Sequence, residues 1–376
     1  MLRPTRVQEA QQRGQRRARR HGWIWVLALA ALVGAALWLG AGGFRPQATA
    51  PVAAGATAAP RAPEAKAPSG PLTIYCGRPE PLMAPLFDRF GADTGTSLVV
   101  RYGDSWGLEG EIVAEGTRTP ATVFVAQDAA ALGALSRKGM LVELPMEIVQ
   151  QVEPRFAGTA GKHDWVGLSG RARAIVYDPA ATPAGELPRT LEGVADAKYE
   201  GRFGIVPSNE SFQAQLALYQ VLRGEKALAT LLADLKKNRP RIYADNGAAV
   251  QAVARGEIAF ALVNHDSLWR EASAVPPGRL AIALMTGEGA GGFVNAAGVG
   301  VLSNDPRALD LVRFLLSRPA QEAFAERTFE YPLAKGMAPR QGMPAFASLR
   351  IPSFDFADVA AVLEETERAT RRAGLM

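Results

Sequence analysis

The chain has 376 residues, 48% hydrophobic and 21% charged, enough apolar material for one large two-lobed domain or two ordinary ones. Its single cysteine, Cys76, excludes an internal disulfide, and with only three histidines (His21, His163, His265) it excludes cysteine-rich metal centres. Of 42 basic and 37 acidic residues, ten and two fall in 1–70, so 71–376 holds 32 and 35, a net of −3; the body has no basic stripe with interleaved aromatics, which argues against a nucleic-acid partner.

Residues 1–22 read as a basic, cytoplasmic segment. The run 23–39 is uncharged and almost wholly apolar, and its extension to Phe44 is long enough to span a bilayer as a helix. Trp23, Trp25 and Trp38 stand near its ends, as an aromatic belt does. Seven arginines precede the run and Arg45 follows it, so the positive-inside bias puts the rest of the chain outside the cytoplasm. We expect an uncleaved membrane anchor over 23–44. A cleaved signal peptide is the competing reading, but small-residue sites such as Ala48-Thr49-Ala50 lie well past the apolar run. Residues 45–70, rich in Ala and Pro, read as an extended tether.

From Leu72 onward short strands and helices alternate. The spacing predicts strands over 72–76, 97–102 and 122–126, and helices over 82–90, 108–115 and 129–137 that stop near Gly91 or Gly95, Gly116 and Gly139. Cys76 falls in the first strand and reads as a small buried apolar residue. This rhythm predicts a largely parallel sheet with helices on both faces. A long extended run, 165–177, interrupts it. A second series follows: strands over 203–206 and 258–263, and helices over 212–222, 227–236 and 248–255. A strand over 298–302 returns to the first lobe, and helices are predicted over 306–316, 320–326 and 356–372. The fold class is α/β, with 71–172 and 288–376 in one lobe and 173–287 in the other. Such sheets bind ligands in a cleft at the carboxyl ends of their strands.

Catalytic signals are sparse. Gly167-Leu168-Ser169-Gly170-Arg171 lacks the last glycine of a nucleophile elbow. A zinc-binding His-Glu-x-x-His and a phosphate-binding lysine loop are both missing. We therefore expect no enzyme and no cofactor. Anion-binding signals are better. Ser208-Asn209-Glu210 lies between a strand and a helix, Asp245-Asn246-Gly247 opens another helix, and Asn264-His265-Asp266 follows a strand. Free N–H groups and the helix dipole favour an anion at such ends, although Ser and Asn cap helices in any fold. Arg171 offers a bidentate fork to an oxyanion.

Several segments, in consistent order along 71–376, resemble the ferric-ion-binding periplasmic proteins. They are Ile74-Tyr75-Cys76-Gly77-Arg78, the run from Trp165 to Arg173, Asn246 with Ala252-Val253-Ala254-Arg255-Gly256-Glu257, Val263-Asn264, and Glu330-Tyr331-Pro332-Leu333. These proteins are solute receptors of ABC importers with the type II periplasmic-binding fold. The resemblance implies two lobes, a hinge of two crossing strands, closure around the ligand, and delivery to a permease and its ATPase. It also implies iron ligands: a histidine, a glutamate and two adjacent tyrosines. This chain carries Pro79, Gln127, Asp266 and Ser267 there. Proline has no ligating side chain, and serine is a poor substitute for phenolate. The positions that hold the accompanying anion retain Arg171, Asn209, Asn246 and Asn264.

The expectation is a monomeric, membrane-tethered receptor for a small anion or anion-bearing organic solute. Its site would comprise Arg78, Gln127, Arg171, Asn209, Asn246, Asn264, His265, Asp266 and Ser267, with no metal. Two alternatives stay open: ferric iron or a ferric chelate as cargo, and an anchored sensor or scaffold with a degenerate site.

Overall fold

The computed structural model describes residues 70–376 except 159, 160, 272 and 277. The basic leader, the anchor expected over 23–44 and all but the last residue of the tether lie outside the described residues. Among the described residues, no helix is long and apolar enough to cross a membrane.

The first series is β1 (Leu72–Cys76), α1 (Glu80–Thr94), β2 (Leu98–Tyr102), α2 (Ser105–Glu115), β3 (Val123–Ala126) and α3 (Ala129–Arg137). A short α4 (Met146–Val149) leads to β4 (Trp165–Tyr177). The second series is β5 (Phe203–Ile205), α5 (Glu210–Arg223), α6 (Glu225–Lys237), β6 (Arg241–Ile242), α7 (Asn246–Ala254), β7 (Phe260–Asn264), α8 (Asp266–Arg270) and β8 (Ala281–Leu284). The chain ends with β9 (Val294–Val301), α9 (Pro306–Leu316), α10 (Arg318–Thr328), β10 (Tyr331–Pro332) and α11 (Phe356–Arg372).

Local chemistry sets the helix ends. Asp104 accepts the Gly107 N–H at 2.7 Å and caps α2; Asp128 accepts the Ala130 N–H at 2.9 Å and caps α3. Gly95 ends α1 at φ 69°, a conformation that glycine adopts without strain.

The strands lie in the order β2-β1-β3-β9-β4-β7-β5-β6, with β8 and β10 also paired to β4. The outer pairs are parallel: β1 with β2 and β3, and β5 with β6 and β7. The centre is antiparallel, because β4 and β9 run against each other and against their outer neighbours β7 and β3. The expected largely parallel sheet is thus corrected to a mixed one. Periodicity reveals a strand, but strand direction depends on which partner it meets.

All thirteen residues of β4 are buried. As far as Ala172 it pairs with β9; from Arg173 onward it pairs with β7 and β8. One strand therefore belongs to both half-sheets. One apolar core runs through both halves, and a smaller cluster around Val206, Val250, Ile258 and Val263 lies beneath α7.

Helix α11 packs on α3 of the first half and on α5 of the second. Phe356 meets Trp165 edge to face at 5.6 Å, and Thr366 donates to Gln220 at 2.8 Å. Against α3 the approach is close enough to require glycine. A Cβ on Gly133 would stand 2.7 Å from the Ala357 nitrogen. We expect Gly133→Ala to strain this contact by about 1–3 kcal/mol. The better helix propensity of alanine returns about 1 kcal/mol of that. Urea unfolding should show a lower midpoint; an unchanged or raised midpoint would mean that the α3–α11 contact is loose.

Candidate functional site

In an extended strand alternate side chains share a face, so Ser169, Arg171 and Arg173 of β4 point the same way into the interior. All three are buried. Buried guanidiniums need carboxylate or carbonyl partners, and the structure supplies a different set for each.

Arg171 and Arg78 converge on Glu330, which is fully buried just before β10. Arg78 Nη2 donates to Glu330 Oε2 at 2.9 Å, and Arg171 Nη1 to Oε1 at 3.4 Å. The Ser169 hydroxyl also donates to Glu330 and accepts from Arg78 Nη1 at 2.8 Å. Burial alone would raise the Glu330 carboxyl. Arg78 first, then Arg171 and the Ser169 hydrogen bond, outweigh it and hold the group at about 2. Arg171 is fixed a second time, by donating from Nη2 to the Gln127 carbonyl at 2.6 Å.

Arg173 serves the other half-sheet. It donates to Gln215 Oε1 at 3.2 Å, to Asn264 Oδ1 at 2.9 Å and to the Leu262 carbonyl at 3.2 Å. Its guanidinium lies over the Phe212 ring at 5.4 Å.

Beside Arg171 a cavity of about 480 Å³ opens between the half-sheets, and Gln127, Asn209, Asn246, Asn264, Asp266 and Ser267 line it as well. An adjoining cavity of about 430 Å³ shares Gln127 and Arg270 with the first and is lined by Arg78, Pro79, Arg327 and Glu330. Asn209 caps α5, its Oδ1 accepting the Phe212 N–H at 3.2 Å. Asp245, not Asn246, caps α7, accepting the Ala248 N–H at 2.8 Å. The Oδ1 of Asn246 is buried without a hydrogen-bond partner. Asn264 is held on both ends, by Arg173 and by donating to Ser211 Oγ at 3.4 Å.

His265 lines neither cavity and has no exposed surface. Its Nδ1 accepts the Ala172 N–H at 3.1 Å, and its ring stacks on Tyr331 at 4.6 Å. Burial pushes its pKa down to about 3, so it is neutral at physiological pH. Asp266 is also buried, and Arg270 Nε lies 3.1 Å from its Oδ2. Burial raises its carboxyl to about 6, against the pull of Arg270.

Spacing and motifs assign no role to Glu330, Arg173 or the cavity-lining acids Glu210, Asp245 and Glu271. Glu210 and Asp245 stand in motifs that point to their neighbouring asparagines, whereas Glu271 stands in none. Glu330 had no local signal, since its arginine partners are 252 and 159 residues away. Among the described residues, no group of three or more His, Cys, Asp or Glu side chains is placed to hold a metal ion.

Two half-sheets sharing a strand, with a polar cavity at their junction, define an α/β solute receptor. The family model "Bacterial extracellular solute-binding protein" matches residues 85–348, and the chain belongs to that family. Over 307 residues it is 31% identical to the major ferric iron-binding protein of Neisseria meningitidis serogroup B, spanning 80% of this chain and 91% of that one. It is 30% identical over 290 residues to iron uptake protein A1 of Synechocystis, spanning 74% and 80% of the two chains. The crystal structure of iron-bound HitA from Pseudomonas aeruginosa aligns with a TM-score of 0.71 at 30% identity, over 80% of this chain and 98% of that one. The chain thus has the two-lobed periplasmic-binding fold, and its relatives are binding proteins, not enzymes.

Glu330→Gln leaves two buried guanidiniums without their carboxylate. We expect it to reduce stability by about 3–5 kcal/mol at neutral pH, measured by urea unfolding. The folded carboxyl, at about 2, lies below its ordinary 4.5. Its contribution is therefore fully present above that ordinary value and is lost as pH falls toward the folded one. The gap between wild type and variant should narrow on acidification through this window; a constant gap would contradict an ionic origin.

Proposed function

We propose that this protein is the extracytoplasmic receptor of an ABC importer and holds a small anion or an anion-bearing organic solute beside Arg171. The fixation of Arg171 carries this reading. Its guanidinium is oriented by Glu330 and the Gln127 carbonyl before any ligand arrives, and it stands on a cavity of small-molecule size. The first turns of α5 and α7 open on the same cavity at Ser211, Asn246 and Gly247, where the helix dipole favours negative charge. Gln127, Asn209, Asp266 and Ser267 complete the wall. Asn264 adds a surface held rigid by Arg173, Arg78 acts from the adjoining cavity, and His265 supports the wall from behind.

Family membership supports delivery to a permease with its ATPase. The apolar run 23–44, with seven arginines before it, supports a membrane tether and a body outside the cytoplasm.

A second reading, ferric iron or a ferric chelate as cargo, is favoured by relatives named for iron. Pro79, Gln127, Asp266 and Ser267 line the two adjoining cavities but include one carboxylate among them. In this reading a chelator supplies most of the ligands to the metal.

Calorimetric titration of the purified protein with phosphate, phosphonates, carboxylates and ferric citrate separates the two. We expect an anion to bind, and Arg171→Ala to weaken it by about tenfold or more, as loss of a charge-assisted hydrogen bond does. Binding of ferric citrate alone would select the second reading. Anion binding unchanged in a folded Arg171→Ala protein would remove the first.

A further inference from the structure

The cavity beside Arg171 is lined by four carboxylates, Glu210, Asp245, Asp266 and Glu271, and by two guanidiniums, Arg171 and Arg270. Both guanidiniums already have anionic partners: Arg171 shares Glu330 with Arg78, and Arg270 pairs with Asp266. Glu330 cannot neutralise both of its arginines, but the four lining carboxylates still outnumber the two lining guanidiniums, so the wall is acidic. A bare anion is attracted at Arg171 and by the first turns of α5 and α7, and is repelled by the four carboxylates.

Unpaired atoms give independent evidence. Three of the cavity-lining residues have a buried side-chain atom without a hydrogen-bond partner: Gln127 Oε1, Asn246 Oδ1 and Asp266 Oδ1. Of these, Asp266 Oδ1 belongs to a carboxylate, which accepts hydrogen bonds whichever way the group is turned. Asp266 is 3% exposed, and an unpaired carboxylate oxygen at such depth is unfavourable. Phosphate, phosphonate and carboxylate groups bring further acceptors. An ammonium group brings three donors and a positive charge. A metal ion would also answer the negative charge, but among the described residues no three of these side chains are placed to hold one. The carboxylates stand on separate elements, at the starts of α5, α7 and α8 and just after α8.

We infer that the solute is an ampholyte, with its oxyanion on Arg171 and an ammonium group facing the acidic wall around Asp266. This rests on the anion-binding reading above and narrows it from any small anion to an amino-substituted one. Asp266 is then the specificity-determining residue. Arg270 engages its Oδ2 and leaves Oδ1 for a ligand donor.

The test is calorimetric titration of the whole protein with matched pairs that share an oxyanion and differ in the amine. The pairs are aminopropylphosphonate with propylphosphonate, and aminobutanoate with butanoate; inorganic phosphate and ferric citrate are run alongside. We expect the amine-bearing member of at least one pair to bind about tenfold or more tighter than its amine-free partner, a typical gain from one charged hydrogen-bonded contact. Asp266→Asn should reduce that ratio to within about threefold. The wild-type ratio is read without any variant, so a poorly folded Asp266→Asn protein leaves the inference open to refutation. Amine-free members that bind as well as their partners would overturn the ampholyte and leave the anion reading intact. An amine preference that survives Asp266→Asn would overturn the role of Asp266. Failure of every organic anion and of phosphate would overturn the anion reading itself.

Discussion

A fully buried carboxylate, Glu330, organises this molecule. It gathers Arg78 from the end of β1 and Ser169 and Arg171 from β4, and it sits itself at the entry to β10. Four charged or polar side chains leave water together, which is tolerable only if each finds its partners. That demand pins three distant segments in one arrangement. Arg78 also packs its guanidinium on the Phe324 ring at 4.9 Å, so even its face is covered. The shape of the polar cavity depends on this knot. Arg171 reaches it already aligned because its other nitrogens and carboxylate partner are held behind it.

The same strand repeats the device two residues later. Arg173 braces Asn264, and through it Ser211, which also accepts from Asn295 at 3.2 Å. Between the two arginines β4 exchanges β9 for β7 and β8. One arginine thus secures each half-sheet, on either side of the point where the strand passes from one to the other. The two networks hold the cavity wall rigid on both sides of that crossing point.

Much of the fold is legible along the chain. β1, β4, α3, α9 and α11 coincide with the spans expected from apolar spacing, because their faces are set by period and their ends by Gly, Pro or a capping Asp. The strand β8 is only four half-buried residues and gave no signal before its partner β4 was known. α1 begins earlier than its apolar spacing indicated, at Glu80, since a proline in its first turn suits a helix start. The asparagines and Arg171 were visible because caps, loops after strands and fork-shaped donors have local signatures. Glu330 and the negative balance of the cavity wall were not, because ion pairs across more than a hundred residues leave no trace in spacing.

The sequence alone determined the alternation of strands and helices, the long central strand and the residue types available for an anion. It did so because hydrophobic period and end-capping act over a few residues. Tertiary structure alone decided the strand directions, the pairing of Arg78 and Arg171 with Glu330, and the placing of His265 behind the cavity that Asn264, Asp266 and Ser267 line. Those outcomes depend on which distant groups must share a dry interior, and that competition is resolved only when the whole chain packs.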